Sequence, residues 1–403
     1  MAQEKQPQLL VFSSLFPSNK RPNAGVFVRE RMFRVAQHTP LIVVSPVPWF
    51  PLQGLIRLWR PNYRPQPQRH EVQSGVDVYF PRFLSIPGLF RSYDGLMMAL
   101  GSLPTLFKLR KQFNLIDAHF AYPDGYAATL LGQWLHKPVT ITLRGTEVPL
   151  SKIPARKALL LTALAKATRV FAVANALKQH VMSIGADGDN IRVVGNGIDV
   201  DKFQALPQHQ ARAALNLPEH AKVLVSVGGL VDRKGFHRVI DILPELVKRH
   251  PDLIYLVVGG DSPEGNIRAR LEAQVQNLNL SAHVRFLGAY PSEQLKLPLS
   301  AADVFVLATA NEGWANVFLE AMACGLPVIT TDVGGNAEVV NHPSLGTIVP
   351  FGDSAALQQA VADSLATSWD SGLIRQYAHD NAWDTRVSIL MDEFRRIIAQ
   401  PQP

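Results

Sequence analysis

Short, mostly apolar runs alternate along this chain with longer segments whose apolar residues recur at helical spacing. In the first half the runs 9–13, 41–45, 116–119, 139–142 and 169–174 are separated by helical patterns at 26–37, 100–112, 125–135 and 157–167. In the second half the runs 223–227, 254–258, 284–287, 304–308 and 328–331 alternate with helical patterns at 236–249, 265–277, 293–299 and 318–323. Runs this short and this largely apolar suit strands buried on both faces of a parallel sheet, and their regular exchange with helices is the rhythm of a doubly wound α/β fold. The rhythm restarts after the polar stretch 201–210, which reads as a linker with a hinge near residue 200. The pattern therefore predicts two Rossmann-like domains, 1–200 and 201–382, followed by a helical segment over 383–403. A length of 403 residues agrees, since one core seldom serves so long a chain.

Charge divides the two halves. Residues 1–200 hold 24 Lys and Arg against 11 Asp and Glu, whereas residues 201–403 hold 16 against 22. A basic first half suits an anionic substrate or an anionic membrane surface; nucleic acid is disfavoured, because no recognised binding module accompanies the charge. In 49–64 and 83–91 Trp, Phe and Leu interleave with Arg, as in a segment lying at a headgroup layer. The amino-terminal apolar run is too short for a signal peptide, and no window reaches the roughly 18 apolar residues of a spanning helix. The single cysteine, Cys324, excludes an internal disulfide and reads as core packing in a cytoplasmic protein.

Two segments of the second half carry chemistry. The first, 227–235, follows a strand and precedes a helix; its Gly228-Gly229 pair lets backbone N–H groups approach an anion, and Arg233 and Lys234 add two cations there. The second, 311–338, places Glu312 and Gly313 between a strand and a helix and Glu320 within that helix. Carboxylates at two depths can accept hydrogen bonds from sugar hydroxyls, and Glu320 stands among Val317, Phe318, Leu319, Ala321 and Met322, where an unpaired charge is costly. In the first half His119 ends a strand, Gly25 sits in a strand-to-helix loop, and Arg144, Gly145 and Thr146 end another strand. Asp187-Gly188-Asp189 is a polar turn and not a metal pair; no other carboxylate or histidine grouping has metal spacing, so the chemistry is expected to need no metal.

The spacing from Glu312 to Glu320, followed by Ala321-Met322-Ala323 and Gly325-x-Pro327-Val328, is similar to the signature of retaining glycosyltransferases of family 4. The resemblance implies the GT-B fold, two Rossmann-like domains facing each other across a cleft, with the last helix packing back on the first domain. It implies transfer of a sugar from a nucleoside-diphosphate sugar to an acceptor hydroxyl with retention of configuration, in bacterial polysaccharide or glycolipid synthesis, on a lipid-linked or polysaccharide acceptor at the inner membrane face. Glu312 would face the donor sugar and Glu320 the ribose hydroxyls, with Gly229, Arg233, Lys234, Gly313 and Val317 around the donor. Lys234 and Arg233 would neutralise the leaving diphosphate, His119 would contact the donor sugar, and Gly25 would lie beside the donor phosphate or the acceptor. Asn23, Arg144, Glu147 and Asn196 would fall on the acceptor side. Ala315 and Arg144-Gly145-Thr146 depart from the usual pattern, the latter standing where relatives often have His-Gly-Asp.

Two other readings fit two Rossmann-like domains. A nicotinamide-dependent oxidoreductase would need Gly-x-Gly-x-x-Gly after the first strand, where this chain has Ser13-Ser14-Leu15-Phe16-Pro17. A catalytically dead sugar-binding scaffold of the same fold would be expected to lose Glu312 or the basic pair, and both are present.

Overall fold

The computed structural model describes residues 6–400 except 23, 61, 62, 89, 90 and 263. The chain forms two compact units, Met1–Asn196 with Asp384–Pro403, and Gly197–Trp383.

Unit 1 contains the strands β1 (Leu9–Phe12), β2 (Leu41–Val44), β3 (Val47–Trp49), β4 (His70–Gln73), β5 (Val76–Tyr79), β6 (Arg82–Leu84), β7 (Leu115–His119), β8 (Val139–Leu143), β9 (Arg169–Ala172) and β10 (Ile191–Val193). Eight of them make one sheet in the order β10-β9-β8-β7-β1-β2-β5-β4, parallel throughout except for the β4–β5 pair; β3 and β6 pair separately. Every residue of β1, β2, β7 and β8 is buried; β1 and β2 are apolar throughout, whereas β7 and β8 also bury Asp117, His119, Thr140 and Thr142. The chain leaves this unit after Asn196 and returns with the helix Trp383–Ala399. That helix seats Val387, Leu390, Met391, Phe394 and Ile397 against Leu9, Val11, Val28 and Phe171, and Phe394 meets Phe171 edge to face at 6.0 Å.

Unit 2 contains β11 (Val223–Val227), β12 (Ile254–Val258), β13 (Val284–Gly288), β14 (Val304–Leu307), β15 (Val328–Thr331) and β16 (Gly346–Val349), all parallel in the order β13-β12-β11-β14-β15-β16. Alternate side chains feed two layers: Val223, Val225 and Val227 pack on one face of the sheet, Leu224 on the other. The helix Phe236–Arg249 explains its own docking. Phe236, Val239, Ile240, Leu243 and Leu246 recur at three- and four-residue steps, and all five are buried. Each such side chain contributes roughly 1.5–3 kcal/mol relative to exposure. Its entry turn needs a glycine, because Gly235 has φ +76° and a Cβ there would lie 1.9 Å from the Ala308 carbonyl oxygen.

All ten apolar runs read as strands are strands, and the two-domain α/β expectation holds. The pattern did not reveal β3 to β6, β16, or the helices Gln53–Trp59, Ser354–Ala366 and Ser371–Asp380. The stretch expected to be linker contains the start of the helix Gln208–Ala214. Cys324 is buried; burial pushes its thiol up to about 12.

Candidate functional site

In a doubly wound sheet the crevice lies where strand order reverses, beyond the carboxyl ends of the two diverging strands. In unit 2 that point is β11/β14. Arg233 and Lys234 follow β11, and Glu312 follows β14, so residues far apart in sequence share one sheet edge. Lys234 Nζ donates to Glu312 Oε1 at 2.5 Å, and the Thr309 hydroxyl donates to the same oxygen at 3.2 Å. Arg233 reaches that oxygen at 3.4 Å through Nη1 and turns its other edge to Glu264, with Nε and Nη2 both at 2.8 Å. Glu312 is 9% exposed and Lys234 14%, so this pair is largely withdrawn from water. Hydrogen bonding to Arg233 holds the Glu264 carboxyl below the usual range, and Glu264 raises the Arg233 guanidinium in turn.

Glu312 is held by the backbone as well. The Gly335 N–H donates to its carbonyl oxygen at 3.3 Å, and Gly334 has φ +55°, where a Cβ would sit 1.8 Å from that same oxygen. The glycines of 334–335 thus let a loop close on the strand-to-helix turn. Gly313 and Val317 are half-buried beside it, and Glu320 is half-buried within the helix Asn316–Ala323. Gly229 lies in the loop after β11, and a Cβ there would come within 3.0 Å of the Ser262 side chain. Glu264 and Thr309 were not singled out in the sequence. Glu264 stands in an irregular segment with no spacing signal, and Thr309 reads as one more residue after a strand.

In unit 1 strand order reverses at β1/β7. Gly25, in the loop after β1, has φ +67°, and a Cβ would fall 2.2 Å from the Leu15 carbonyl oxygen, so this close backbone approach requires glycine. Asn23 lies outside the described residues. His119 ends β7 fully buried. Its Nδ1 accepts from Arg144 Nε at 3.1 Å and Nη2 at 3.0 Å, while Nε2 lies 3.5 Å from Asp117 Oδ2. Burial, with Arg144 and Arg31 adding repulsion, holds the imidazolium far below its ordinary range, so the ring is neutral and carries its proton on Nε2. Asp117 accepts from the Thr140 hydroxyl at 2.7 Å, and burial pushes its carboxyl up to about 6.

Arg144 joins this group to Asn196, donating through Nη1 to Oδ1 at 3.3 Å, and its guanidinium lies over the Phe27 ring at 5.1 Å. Glu147, expected on the acceptor side, is fully buried and spends its carboxylate on three backbone N–H groups: Ala121 at 3.1 Å, Arg144 at 3.2 Å and Gly145 at 2.8 Å. It ties the loop after β7 to the loop after β8 and thereby positions Arg144. The sequence also gave no sign of Asp124, buried and receiving the N–H and hydroxyl of Ser14 across the β1 and β7 loops; burial pushes its carboxyl up to about 7.

Among the described residues no group of three or more His, Cys, Asp and Glu could hold a metal, and no helix is long and apolar enough to cross a membrane. Leu52, Leu55, Leu58 and Trp59 are exposed on and beside the helix Gln53–Trp59, Trp59 by 89%.

Two family models match this chain: "Glycosyl transferases group 1" over residues 207–379 and "Glycosyltransferase Family 4" over residues 24–202. Among curated relatives, a Bacillus subtilis (strain 168) protein named for teichuronic acid biosynthesis as the glycosyltransferase TuaC is 28% identical over 390 residues, 94% of this chain and 92% of that one. The D-inositol 3-phosphate glycosyltransferase of Corynebacterium urealyticum is 33% identical over 222 residues, 53% of this chain and 52% of that one. Among solved structures, Anabaena HepE in complex with UDP superposes with a TM-score of 0.73 at 18% identity, covering 96% of this chain and 99% of that one. Sucrose-phosphate synthase from Thermosynechococcus elongatus does so with a TM-score of 0.77 at 21% identity, covering 98% of this chain and 100% of that one.

Proposed function

The chain belongs to the family 4 glycosyltransferases, and on that premise we propose that it moves a sugar from a nucleoside-diphosphate sugar to an acceptor hydroxyl with retention of configuration. Neither nicotinamide chemistry nor a dead scaffold finds support among its relatives. One observation carries the reading: at the β11/β14 switch point Arg233 and Lys234 converge on the buried carboxylate of Glu312. A diphosphate arriving there competes for both cations, and the carboxylate they release becomes an acceptor for the hydroxyls of the transferred sugar. Glu320, deeper on the same turn and helix, takes the ribose.

Catalysis in this reading is electrostatic. As the bond from the anomeric carbon to the β-phosphate oxygen breaks, negative charge grows on the leaving diphosphate, and Arg233 and Lys234 stabilise it without a metal ion. The acceptor oxygen attacks the face the leaving group departs from, and its proton passes to the departing phosphate oxygen. No positioned carboxylate nucleophile is required; His119, expected to contact the donor sugar, is fully buried and neutral with its Nδ1 engaged by Arg144, so its side chain is neither the base nor a sugar contact and acts by positioning Arg144.

HepE, whose structure contains UDP, supports a nucleotide of this kind, and the teichuronic-acid relative supports a polysaccharide or lipid-linked acceptor. Unit 1 is the acceptor side in this reading. The exposed Leu52, Leu58 and Trp59, with Arg57 among them, form the contact to an anionic membrane face. The test is a thermal-shift panel of UDP, GDP and ADP and their sugar conjugates with and without EDTA, followed by donor hydrolysis. One nucleotide should raise the melting temperature regardless of EDTA. Absence of any nucleotide shift, or its loss in EDTA, overturns the reading of the site.

A further inference from the structure

Among the described residues Arg144 has no carboxylate hydrogen-bonded to its guanidinium; Asp117 and Glu147 act on its charge only at longer range. Its side-chain hydrogen bonds go to neutral acceptors, His119 Nδ1 and Asn196 Oδ1, and its stacking partner is Phe27. The nearby carboxylates are spent: Glu147 on three backbone amides, and Asp117 on Thr140 while facing His119. Among the described residues no ion pair involves Arg144 or Arg31. Arg31 adds a second guanidinium to the cluster, 1% exposed, with Nη1 and Nη2 both buried and lacking a partner. Burial and the charge of Arg31 push Arg144 well below its ordinary range, so its charged form is costly as it stands. Arg144 itself is half-buried at the carboxyl end of β8, and His119, Asn196 and Phe27 hold its fork in a fixed plane.

We infer that the carboxyl edge of unit 1 carries an oxyanion-binding site centred on Arg144, shaped for an acceptor that bears a carboxylate or phosphate group. The inference rests on the reading that unit 1 takes the acceptor. A planar guanidinium with fixed orientation binds two oxygens of a carboxylate or phosphate side by side, and a site built this way rejects an uncharged sugar because the cation then stays desolvated and unpaired. Arg31, buried and close enough to act on the charge of Arg144, strengthens the field at the same spot. Both oxyanions share this chemistry, and the choice between them is a matter of the test.

The experiment measures binding of glucuronate, glucose 6-phosphate and uncharged glucose to the full chain by calorimetry at constant ionic strength, without nucleotide. One or both anions should bind at least tenfold tighter than glucose, the tighter one naming the group. Arg144→Gln should remove that preference, Arg144→Lys should reduce it, and Lys234→Ala should leave it intact. Where Arg144→Gln loses its cooperative melting transition, the Arg144→Lys variant carries the test. Equal binding of glucose and both anions, an unchanged preference in the Arg144 variants, or loss of preference in Lys234→Ala overturns the inference. Donor hydrolysis by the same preparation separates the two failures. If it persists while anion preference is absent, only the oxyanion site is wrong.

Discussion

The two sheet edges handle positive charge in opposite ways. In unit 2, Arg233 and Lys234 face Glu264 and Glu312, so two cations meet two carboxylates within the protein. In unit 1, Arg144 and Arg31 make no ion pair among the described residues, and the carboxylates near them are held by a hydroxyl and by backbone amides. The first arrangement is closed until a diphosphate displaces an internal partner, which makes ligand binding an exchange. The second is open, and its cations are desolvated before any ligand arrives. An exchanging site tolerates the empty state at little cost but dilutes affinity, whereas an open one stores instability that a matching anion relieves.

The comparison breaks most sharply at the exchange pair. Lys234→Ala or Glu312→Ala should lower sugar transfer by about 10²–10³-fold, the effect of removing one stabilising group from a developing charge. Initial rates at saturating donor check this, and a change under about threefold would mean the pair is structural. Next comes the tie that holds the open site. Glu147→Ala leaves three backbone N–H groups at the β7 and β8 loops without their acceptor and should cost about 3 kcal/mol, read as a lower melting temperature of unit 1 with nucleotide affinity in unit 2 preserved.

The smallest effect is a slope. Asp124 and Asp117 have folded values of about 7 and 6, above their ordinary 3.8, so between pH 4 and 7 these two groups hold more protons in the folded chain than in the unfolded one. Their contribution to stability is therefore greatest at low pH and is lost as pH rises through 6 to 7. His119 works the other way: held neutral when folded, it costs stability as pH falls below about 6.5, where the unfolded ring takes a proton. Asp124→Asn should remove part of the first trend, so its melting temperature relative to wild type rises between pH 4 and 8. A constant difference across that range would place the Asp124 proton elsewhere.

Most of the sheet framework was legible because strands buried on both faces leave no polar alternation: 223–227, 254–258 and 304–308 are apolar throughout, save Ser226, whose hydroxyl is answered within the core. The β4–β5 hairpin was not, since His70–Gln73 lies on an edge with two exposed positions and reads as loop. Glu312, Arg233 and Lys234 were found from local turns and glycines, but their mutual contact spans 78 residues and no spacing rule encodes it. Glu147 was visible as a residue near a strand end. That it faces inward to backbone depends on two loops meeting, which only the fold decides. Arg31 looked like one more charge on a helix, and nothing in its neighbours announced that it would be buried.

The helix Trp383–Ala399 belongs to the core of unit 1 although all of unit 2 precedes it in the chain. A ribosome therefore releases residues 9–196 long before the side chains that cover Leu9, Val11 and Phe171 exist. Unit 2, continuous from Gly197 to Trp383, can close first, while the earlier-made half waits with an apolar face uncovered. Nascent chains of this protein should lean on holding chaperones through most of their synthesis, and a stop codon placed just after residue 383 should yield an aggregating product instead of a merely shortened enzyme.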